Sequence, residues 1–238
     1  GLLDWLASML IDEGWSVKRL HKEILTSNTY RMGSAFNPAA AAADPGNTLR
    51  WRWSRRRLEA ESIRDSLLDL GGRIDRKMGG QLLAAGARAY VTGTASKQNT
   101  YDAPRRSVYL PVLRSAVYDV LQSFDFPDPS VVNGDRSTTT IPSQALVMMN
   151  SALMDQAAQG LAGRLLSSGT ADNLALVRQA FLQVLGRPAG DDEENHWISM
   201  LIKLEESYRE AGEKESRKKA WRSFARVLLS SNEFIYVE

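Results

Sequence analysis

The residues best suited to chemistry lie in the middle of the chain, between Asp102 and Gln144. Arginine, aspartate and aromatic side chains alternate in this central block with five of the chain's eight prolines. Proline fixes φ and removes a backbone donor, so the central block favours irregular backbone over a long helix. Irregular segments held on a regular scaffold are frequent locations of binding sites. The candidate ligand-binding residues are Asp102, Arg105, Arg106, Tyr109 and Arg136.

Two kinds of chemistry are open to the central block. The forked guanidinium groups of its arginines would bind sulfate, phosphate or carboxylate groups. Asp125 and Asp128 would be weak catalytic candidates, dividing the roles of general acid and general base if both lay in one cleft. Alternatively, the aspartates cap turns before the prolines, and the arginines join loops to backbone carbonyls. The sequence leaves both interpretations open.

A second basic cluster covers residues 50–57, where tryptophan alternates with arginine in the string Arg-Trp-Arg-Trp-Ser-Arg-Arg-Arg. Such side chains can stack on sugars or nucleobases and clamp an anion. Internal pairing is the preferred interpretation, because guanidinium groups pair well with carboxylates and four of these follow directly. We therefore predict that Arg55, Arg56 and Arg57 are engaged by neighbouring or more distant carboxylates. The neighbouring carboxylates are Glu59, Glu61, Asp65 and Asp69.

Composition argues against several kinds of site. The chain has no cysteine, which excludes disulfides, thiolate metal sites, a catalytic thiol and covalent haem attachment within it. Its two histidines, His21 and His196, show no metal-ligand spacing, and no Gly-x-Ser-x-Gly elbow supports a hydrolase serine. The net charge is only +2, without the concentrated basic character of a nucleic-acid-binding domain. We expect no metal, no cofactor in this chain, no nucleic-acid partner and no membrane span.

Hydrophobic periodicity predicts a mainly α fold around the central block. Apolar residues recur at helical spacing through the last third of the chain, which predicts helices near residues 174–185, 191–211 and 214–231. Ser16 and Ser151 are predicted helix N-caps, and either Thr140 or Ser143 is a third. The pair Gly71-Gly72 is expected to end an earlier helix.

A minor β element is also predicted. The string Trp51-Arg52-Trp53 alternates like a short strand or an extended entry, residues 107–112 favour a strand, and residues 86–100 favour a hairpin or a long mobile loop. The fold class is therefore mainly α: an irregular helical domain with a minor β hairpin or short strands and a C-terminal helical bundle. We divide the chain into a mainly helical core, residues 1–168, which carries the central block, and a three-helix subdomain packed on it, residues 172–238.

Several separate strings of the sequence resemble one known family. They are Leu2-Leu3-Asp4-Trp5-Leu6-Ala7, Gly14 to His21, Thr26 to Arg31, Arg55 to Asp65, Met78-Gly79-Gly80, Asp102-Ala103-Pro104-Arg105-Arg106-Ser107-Val108-Tyr109-Leu110-Pro111, Phe124 to Pro129, and Asn232 to Val237. Together they resemble the domain of unknown function numbered 1553, a family abundant in exported planctomycete proteins. The resemblance runs nearly from end to end, but the alanine run at residues 39–43 and the start of the chain depart from the family pattern.

The resemblance implies where the protein is located and which domains accompany it, but it implies no reaction. Proteins of the family are typically large and secreted or attached to the surface, and a cytochrome-c-like module with another uncharacterised domain often precedes this one. The resemblance therefore implies an exported chain, periplasmic or at the cell surface, whose partners include other domains of the parent protein. No signal peptide is visible in the sequence. Any haem would belong to the upstream module, and the family supplies no established catalytic residue.

Three functions remain open at this point. The first is an accessory or binding module for an anionic polysaccharide or a protein partner. The second is an enzyme domain that acts on polysaccharide with paired carboxylates. The third is a structural domain that docks the cytochrome-c-like module. A binding module predicts exposed arginine and aromatic side chains on a shallow surface, an enzyme predicts a deep pocket whose carboxylates have raised pKa values, and a docking scaffold predicts that nearly all of these charges pair internally.

Overall fold

The computed structural model describes residues 1–80, 82, 103–112, 117–134 and 136–237. The predicted hairpin or loop at residues 86–100 and the candidate Asp102 lie outside this part of the chain. The mainly α prediction is confirmed within it. Eleven α-helices are present: α1 Leu2–Asp12, α2 Val17–Thr26, α3 Pro38–Ala43, α4 Ala60–Leu70, α5 Asp119–Ser123, α6 Pro142–Asn150, α7 Ala152–Leu166, α8 Asn173–Leu185, α9 Asp191–Glu210, α10 Ser216–Leu229 and α11 Asn232–Ile235. Two strands of two residues, β1 Arg56–Arg57 and β2 Tyr236–Val237, pair with each other.

The chain divides into two compact units. The N-terminal unit comprises Gly1–Arg56 with Val237–Glu238, and the second unit comprises Arg57–Tyr236. The division predicted near residues 168–172 is of a different kind, since it separates helices within the second unit, and it stays a prediction.

The N-terminal unit contains α1, α2 and α3, none of which has a fully buried residue. Ser16 caps α2 as predicted, because its side chain accepts from the backbone N–H of Arg19. The predicted strand at residues 51–53 is wrong. Asn47 bonds the backbone of Arg52 in both directions, at 2.9 and 3.2 Å, and Arg50 has a φ of 55°. These features turn the chain instead of extending it.

The second unit holds a continuous hydrophobic core centred on α7. This helix packs against α10 on one side and α4 on another, while α8 and α9 complete the bundle. Apolar residues at helical spacing fill the core, as the periodicity predicted. Its large and fully buried members include Met154, Leu161, Leu165, Leu176, Phe181, Trp221 and Phe224.

A close backbone crossing fixes how α7 meets the end of α4. A methyl group added to Gly160 would lie 2.9 Å from the Cα of Gly71 and would overlap the carbonyl oxygen of that residue. Only a residue without a side chain allows this approach. The segment that follows α4 is held in place by this crossing, and that segment also contacts the central block.

The helix boundaries bear out most of the predicted caps. Ser151 caps α7 through the N–H of Met154, and α8, α9 and α10 match the three predicted C-terminal helices closely. Helix α6 differs, because neither Thr140 nor Ser143 caps it. It begins at Pro142 after Ile141, and proline suits this first position because its missing N–H would have no partner there.

Candidate functional site

The central block is anchored to α4 by one arginine and one aspartate. The guanidinium group of Arg64 is 2% exposed and donates to the carbonyl oxygens of Ala103 at 2.7 Å and Arg105 at 2.8 Å. The carboxylate of Asp65 accepts from the backbone N–H of Ser107 at 2.8 Å and from its hydroxyl at 2.7 Å. These bonds hold residues 103–107 as a fixed strap across the helix.

The bonds to Asp65 also explain why the predicted strand at residues 107–112 is wrong. Ser107, Val108 and Tyr109 form a short 3₁₀-helix instead. The amide and hydroxyl of Ser107 are both taken by Asp65, so this residue is unavailable to a strand ladder. The turn then presents the side chain of Val108 to solvent, with 71% of it exposed.

The candidate Arg105 is buried rather than open to solvent. One of its terminal nitrogens donates to the carbonyl oxygens of Lys77 and Gly79, both at 2.7 Å. Its guanidinium carbon lies 5.0 Å from the ring centre of Tyr109. The backbone N–H of Asp75 donates to the carbonyl of Pro104 at 2.8 Å. Arg105 and Tyr109 therefore tie the strap to the segment after α4, and their role in ligand binding stays a prediction.

The candidate Asp125 occupies a strained backbone position with all of its hydrogen bonds internal. Its φ is 59°, a region that non-glycine residues rarely adopt. Its carboxylate accepts from Arg57 at 2.5 Å and from the amide and hydroxyl of Thr139, each at 2.8 Å. The side chain of Arg57 is 3% exposed. The predicted internal pairing of the cluster at residues 50–57 is thus confirmed for Arg57, through a distant carboxylate.

The second catalytic candidate, Asp128, lies in an exposed turn. Its carboxylate accepts from the hydroxyl of Ser130 at 2.6 Å and from the amide of the same residue at 2.8 Å. These two hydrogen bonds lower the pKa of Asp128, the hydroxyl bond contributing most. A lowered pKa is opposite to the direction that a general acid needs.

The candidate Arg136 is paired with two glutamates at the start of α4. It donates to Glu59 at 3.1 Å and to both carboxylate oxygens of Glu61, at 2.9 and 3.0 Å. The bonds to Glu61 raise the pKa of Arg136. Its guanidinium carbon also lies 5.9 Å from the ring centre of Phe126. Two of the carboxylates expected beside residues 55–57 are therefore used by an arginine of the central block.

A groove of about 760 Å³ lies between α4, the strap and α5. Of the five candidate ligand-binding residues, Arg106 lines it. Half of its lining residues are apolar, and sequence reasoning gave the aliphatic ones no role because they carry no polar group. The apolar lining residues are Ile74, Val108, Leu110, Pro111, Val112, Val117, Leu121 and Phe126.

The charged side chains of the groove divide into paired and unpaired groups. Glu59 and Glu61 bind Arg136, Asp65 binds Ser107, and Arg76 donates to Asp69 at 2.7 Å. Arg106 is exposed, and within the described part of the chain its guanidinium has no carboxylate partner. The groove thus combines apolar lining residues with one arginine that has no carboxylate partner among the described residues. The described residues contain no cluster of three or more histidine, aspartate or glutamate side chains placed to hold a metal.

A comparison with known protein families identifies the family of this chain. A family model described as PSD1, protein of unknown function (DUF1553), matches residues 1–201. The chain belongs to this family. No curated protein and no solved structure matches it. Every groove-lining residue of this DUF1553 chain falls between Glu59 and Phe126, inside the matched span, and the match ends within α9.

Proposed function

We propose that this DUF1553 chain is a non-catalytic binding module whose groove takes an extended segment of a protein partner. The observation that carries the proposal is the groove beside α4, in which half of the lining residues are apolar and Arg106 has no carboxylate partner among the described residues. A segment with aliphatic side chains and a carboxylate matches that lining. Such recognition combines burial of apolar surface with a single charged contact that fixes orientation.

The apolar part of the groove supplies the affinity in this proposal. Val108 and Val112 are 71% and 48% exposed, although both side chains are aliphatic. Covering such surface stabilises a complex by roughly 25 cal/mol for each Å² removed from water. Leu110 and Leu121, in contrast, are buried and help to form the fixed walls.

The charge of Arg106 supplies the orientation. Its neighbours Glu61 and Asp65 accept hydrogen bonds from Arg136 and Ser107, and Arg106 has no carboxylate partner among the described residues, so it can receive a carboxylate of the partner. A guanidinium group binds a carboxylate through two parallel hydrogen bonds. An acidic side chain of the partner, next to aliphatic residues, would therefore set its register in the groove.

The groove is also held in place before binding. Arg64 and Asp65 fix the strap at Ala103, Arg105 and Ser107. A surface that is already ordered loses little conformational entropy when a ligand binds, and this raises affinity. The internal bonds of the central block thus support a binding role for the neighbouring groove.

The enzyme alternative has weaker support. Asp125 is occupied by Arg57 and Thr139, and the pKa of Asp128 is lowered. Neither carboxylate lines the groove. The absence of a cofactor from this chain remains part of the proposal, as do export and the identity of the partner as another domain of the parent protein. Within the described residues, no helix has the length and apolar character needed to cross a membrane.

Selection from a random-peptide phage library on the immobilised whole chain tests the proposal. We expect the enriched peptides to share an aspartate or glutamate beside aliphatic residues. Synthetic copies should bind by calorimetry, and Val108→Asp should weaken that binding at least about tenfold, because it places a charge in the apolar wall.

The matched control is Val227→Asp. Val227 is 55% exposed and lies on α10, outside the groove. Peptide binding should be unchanged in this variant. Equal losses in both variants, or enriched peptides without the acidic and aliphatic pattern, would move the partner surface away from the groove.

A further inference from the structure

A second pocket lies wholly within the N-terminal unit. It has a volume of about 180 Å³, and its lining includes Arg50, Arg52 and Arg56 together with Trp53. Three arginines thus line one small pocket in a chain whose net charge is only +2. The lining of this pocket is therefore more basic than the chain as a whole.

None of these three arginines is neutralised by a carboxylate in the part of the chain that the structure describes. The pairing predicted for Arg56 is therefore wrong within these residues, because the four carboxylates that follow it have other partners: Glu59 and Glu61 bind Arg136, Asp65 binds Ser107, and Asp69 binds Arg76. Asp44, which precedes the three arginines in the sequence, accepts hydrogen bonds from Thr48 and Leu49. These bonds lower the pKa of Asp44, the bond from Leu49 contributing most.

The arginines are supported on aromatic rings. The guanidinium carbon of Arg52 lies 4.9 Å from the ring centre of Trp51 and 5.4 Å from that of Phe36. That of Arg56 lies 5.9 Å from the ring centre of Trp53. A guanidinium group stacked by its face keeps its in-plane N–H groups available for an anion.

The backbone of the pocket is fixed by side-chain bonds. Asn47 donates to the carbonyl of Arg52 at 2.9 Å and to the hydroxyl of Ser54 at 3.3 Å. Trp51 donates its ring N–H to the carbonyl of Asp44 at 2.9 Å. Asn47 and Arg50 both have a positive φ, 53° and 55°. Residues held in such strained conformations cluster at ligand-binding positions.

We infer that this pocket binds a single oxyanion group, a sulfate, phosphate or carboxylate, through Arg50, Arg52 and Arg56. The anion would accept charge-assisted hydrogen bonds from the guanidinium groups and offset the repulsion between them. Ser54 also lines the pocket, and its hydroxyl, which accepts from Asn47, would donate its own hydrogen to the anion. This site lies in the other unit from the groove and does not depend on the function proposed for the groove.

Titration of the whole chain with inorganic sulfate and then phosphate, followed by ¹H–¹⁵N spectra at constant ionic strength with chloride, tests the inference. The indole resonance of Trp53 should shift and saturate. The indole resonance of the buried Trp221 in the second unit should stay unchanged. A Trp53 response that grows linearly without saturation would overturn the site.

Three variants identify the donors. Arg50→Gly removes a cation and suits the positive φ, while Arg52→Gln and Arg56→Gln remove charge and retain most of the side chain. Each should weaken sulfate binding about tenfold or more, since a charged hydrogen bond is lost. Arg31→Gln, at an exposed arginine outside the pocket lining, should bind as the parent does. Unchanged binding in the three pocket variants would contradict the inference, and helical circular dichroism equal to the parent's verifies that each variant is folded.

Further arms of the titration separate the possible sources of the anion. A sulfated disaccharide that binds more tightly than inorganic sulfate, with the same dependence on the three arginines, would assign the anion to a saccharide. Equal affinity for both would assign the site to the free anion. A single-stranded oligonucleotide that binds more tightly than either, with the steep salt dependence of many phosphate contacts, would overturn the single-oxyanion site.

Discussion

Arg64 is a charged residue with a structural role. It is almost fully buried, burial lowers its pKa, and it satisfies the carbonyl oxygens of Ala103 and Arg105. We predict that Arg64→Met lowers the free energy of unfolding by about 2–5 kcal/mol, because two buried acceptors lose their donor. Urea unfolding measures the change. The exposed Arg73→Met serves as the control, and an equal effect at both positions would contradict the anchoring role.

Asp125 separates the structural interpretation from the catalytic one. Asp125→Asn suits the positive φ, because asparagine tolerates this conformation, but it leaves the buried cation of Arg57 unpaired. We predict a loss of about 3 kcal/mol in the free energy of unfolding. Asp128→Asn, in an exposed turn, should have a much smaller effect. An Asp125→Asn variant as stable as the parent would remove the basis for a structural role and revive the catalytic candidate.

The sequence predicted that Arg57 is paired with a carboxylate, but it did not predict which carboxylate. Pairing of Arg57 followed from the excess of nearby carboxylates, yet its partner Asp125 is 68 residues away. The nearby carboxylates Glu59 and Glu61 are taken by Arg136. Long-range partners depend on how helices pack, and local charge patterns do not contain that information.

At the scale of elements, the crossing of α4 and α7 depends on one glycine. We predict that Gly160→Ala lowers the free energy of unfolding by at least about 2 kcal/mol, because the added methyl group overlaps the backbone of Gly71. Gly163→Ala, one turn along α7, has nothing within 4 Å of the new methyl group. This control should be neutral or gain about 0.5–1 kcal/mol from better helix propensity. Thermal unfolding of both variants measures the contrast, and similar behaviour would refute the close crossing.

The start of α9 gives a prediction about pH. Hydrogen bonds from Arg187, followed by the amide of Gly190, lower the pKa of Glu193 from 4.5 to about 2. A carboxylate whose pKa is lower in the folded state adds stability above its unfolded pKa, and this stability is lost as the pH falls through the folded pKa. Glu193→Gln retains the side-chain bond to Gly190 and removes the charge.

We therefore expect Glu193→Gln to be less stable than the parent at neutral pH, by no more than about 1 kcal/mol, since the ion pair is partly exposed to solvent. The difference should shrink between pH 4.5 and about 2. Urea unfolding across this range measures it. A difference that stays constant down to the lower limit would show that the charge of Glu193 contributes nothing.

Helices with strong periodicity were predictable, and irregular elements were not. The apolar stripes of α8, α9 and α10 fixed both their type and their approximate ends. The segment 107–112 alternates in a way that favours a strand, but Asp65 takes the amide and hydroxyl of Ser107 and a 3₁₀ turn forms. Tertiary hydrogen bonding overrides a short local pattern more easily than a long one.

At the scale of the whole molecule, the described buried apolar core lies between Ala60 and Ile235, within the second unit. The charged side chains of the central block mostly form internal hydrogen bonds and ion pairs, which hold the irregular backbone against this core. Several residues of the block line the groove, but among the four candidate residues that the structure describes only Arg106 does so, and a binding site in the block stays a prediction. The aliphatic walls could not be singled out from the sequence, because single exposed valines are ordinary on protein surfaces.

Arg106 is proposed to select an acidic segment of the partner in the groove, and reversing the charge of this residue is the sharpest experiment on that role. Fluorescence anisotropy compares the parent and Arg106→Glu with one selected acidic peptide and with its counterpart in which lysine replaces the acidic residue. The parent should prefer the acidic peptide at least about tenfold. Arg106→Glu should prefer the lysine peptide. If both proteins preferred the same peptide, Arg106 would not select the charge of the bound segment.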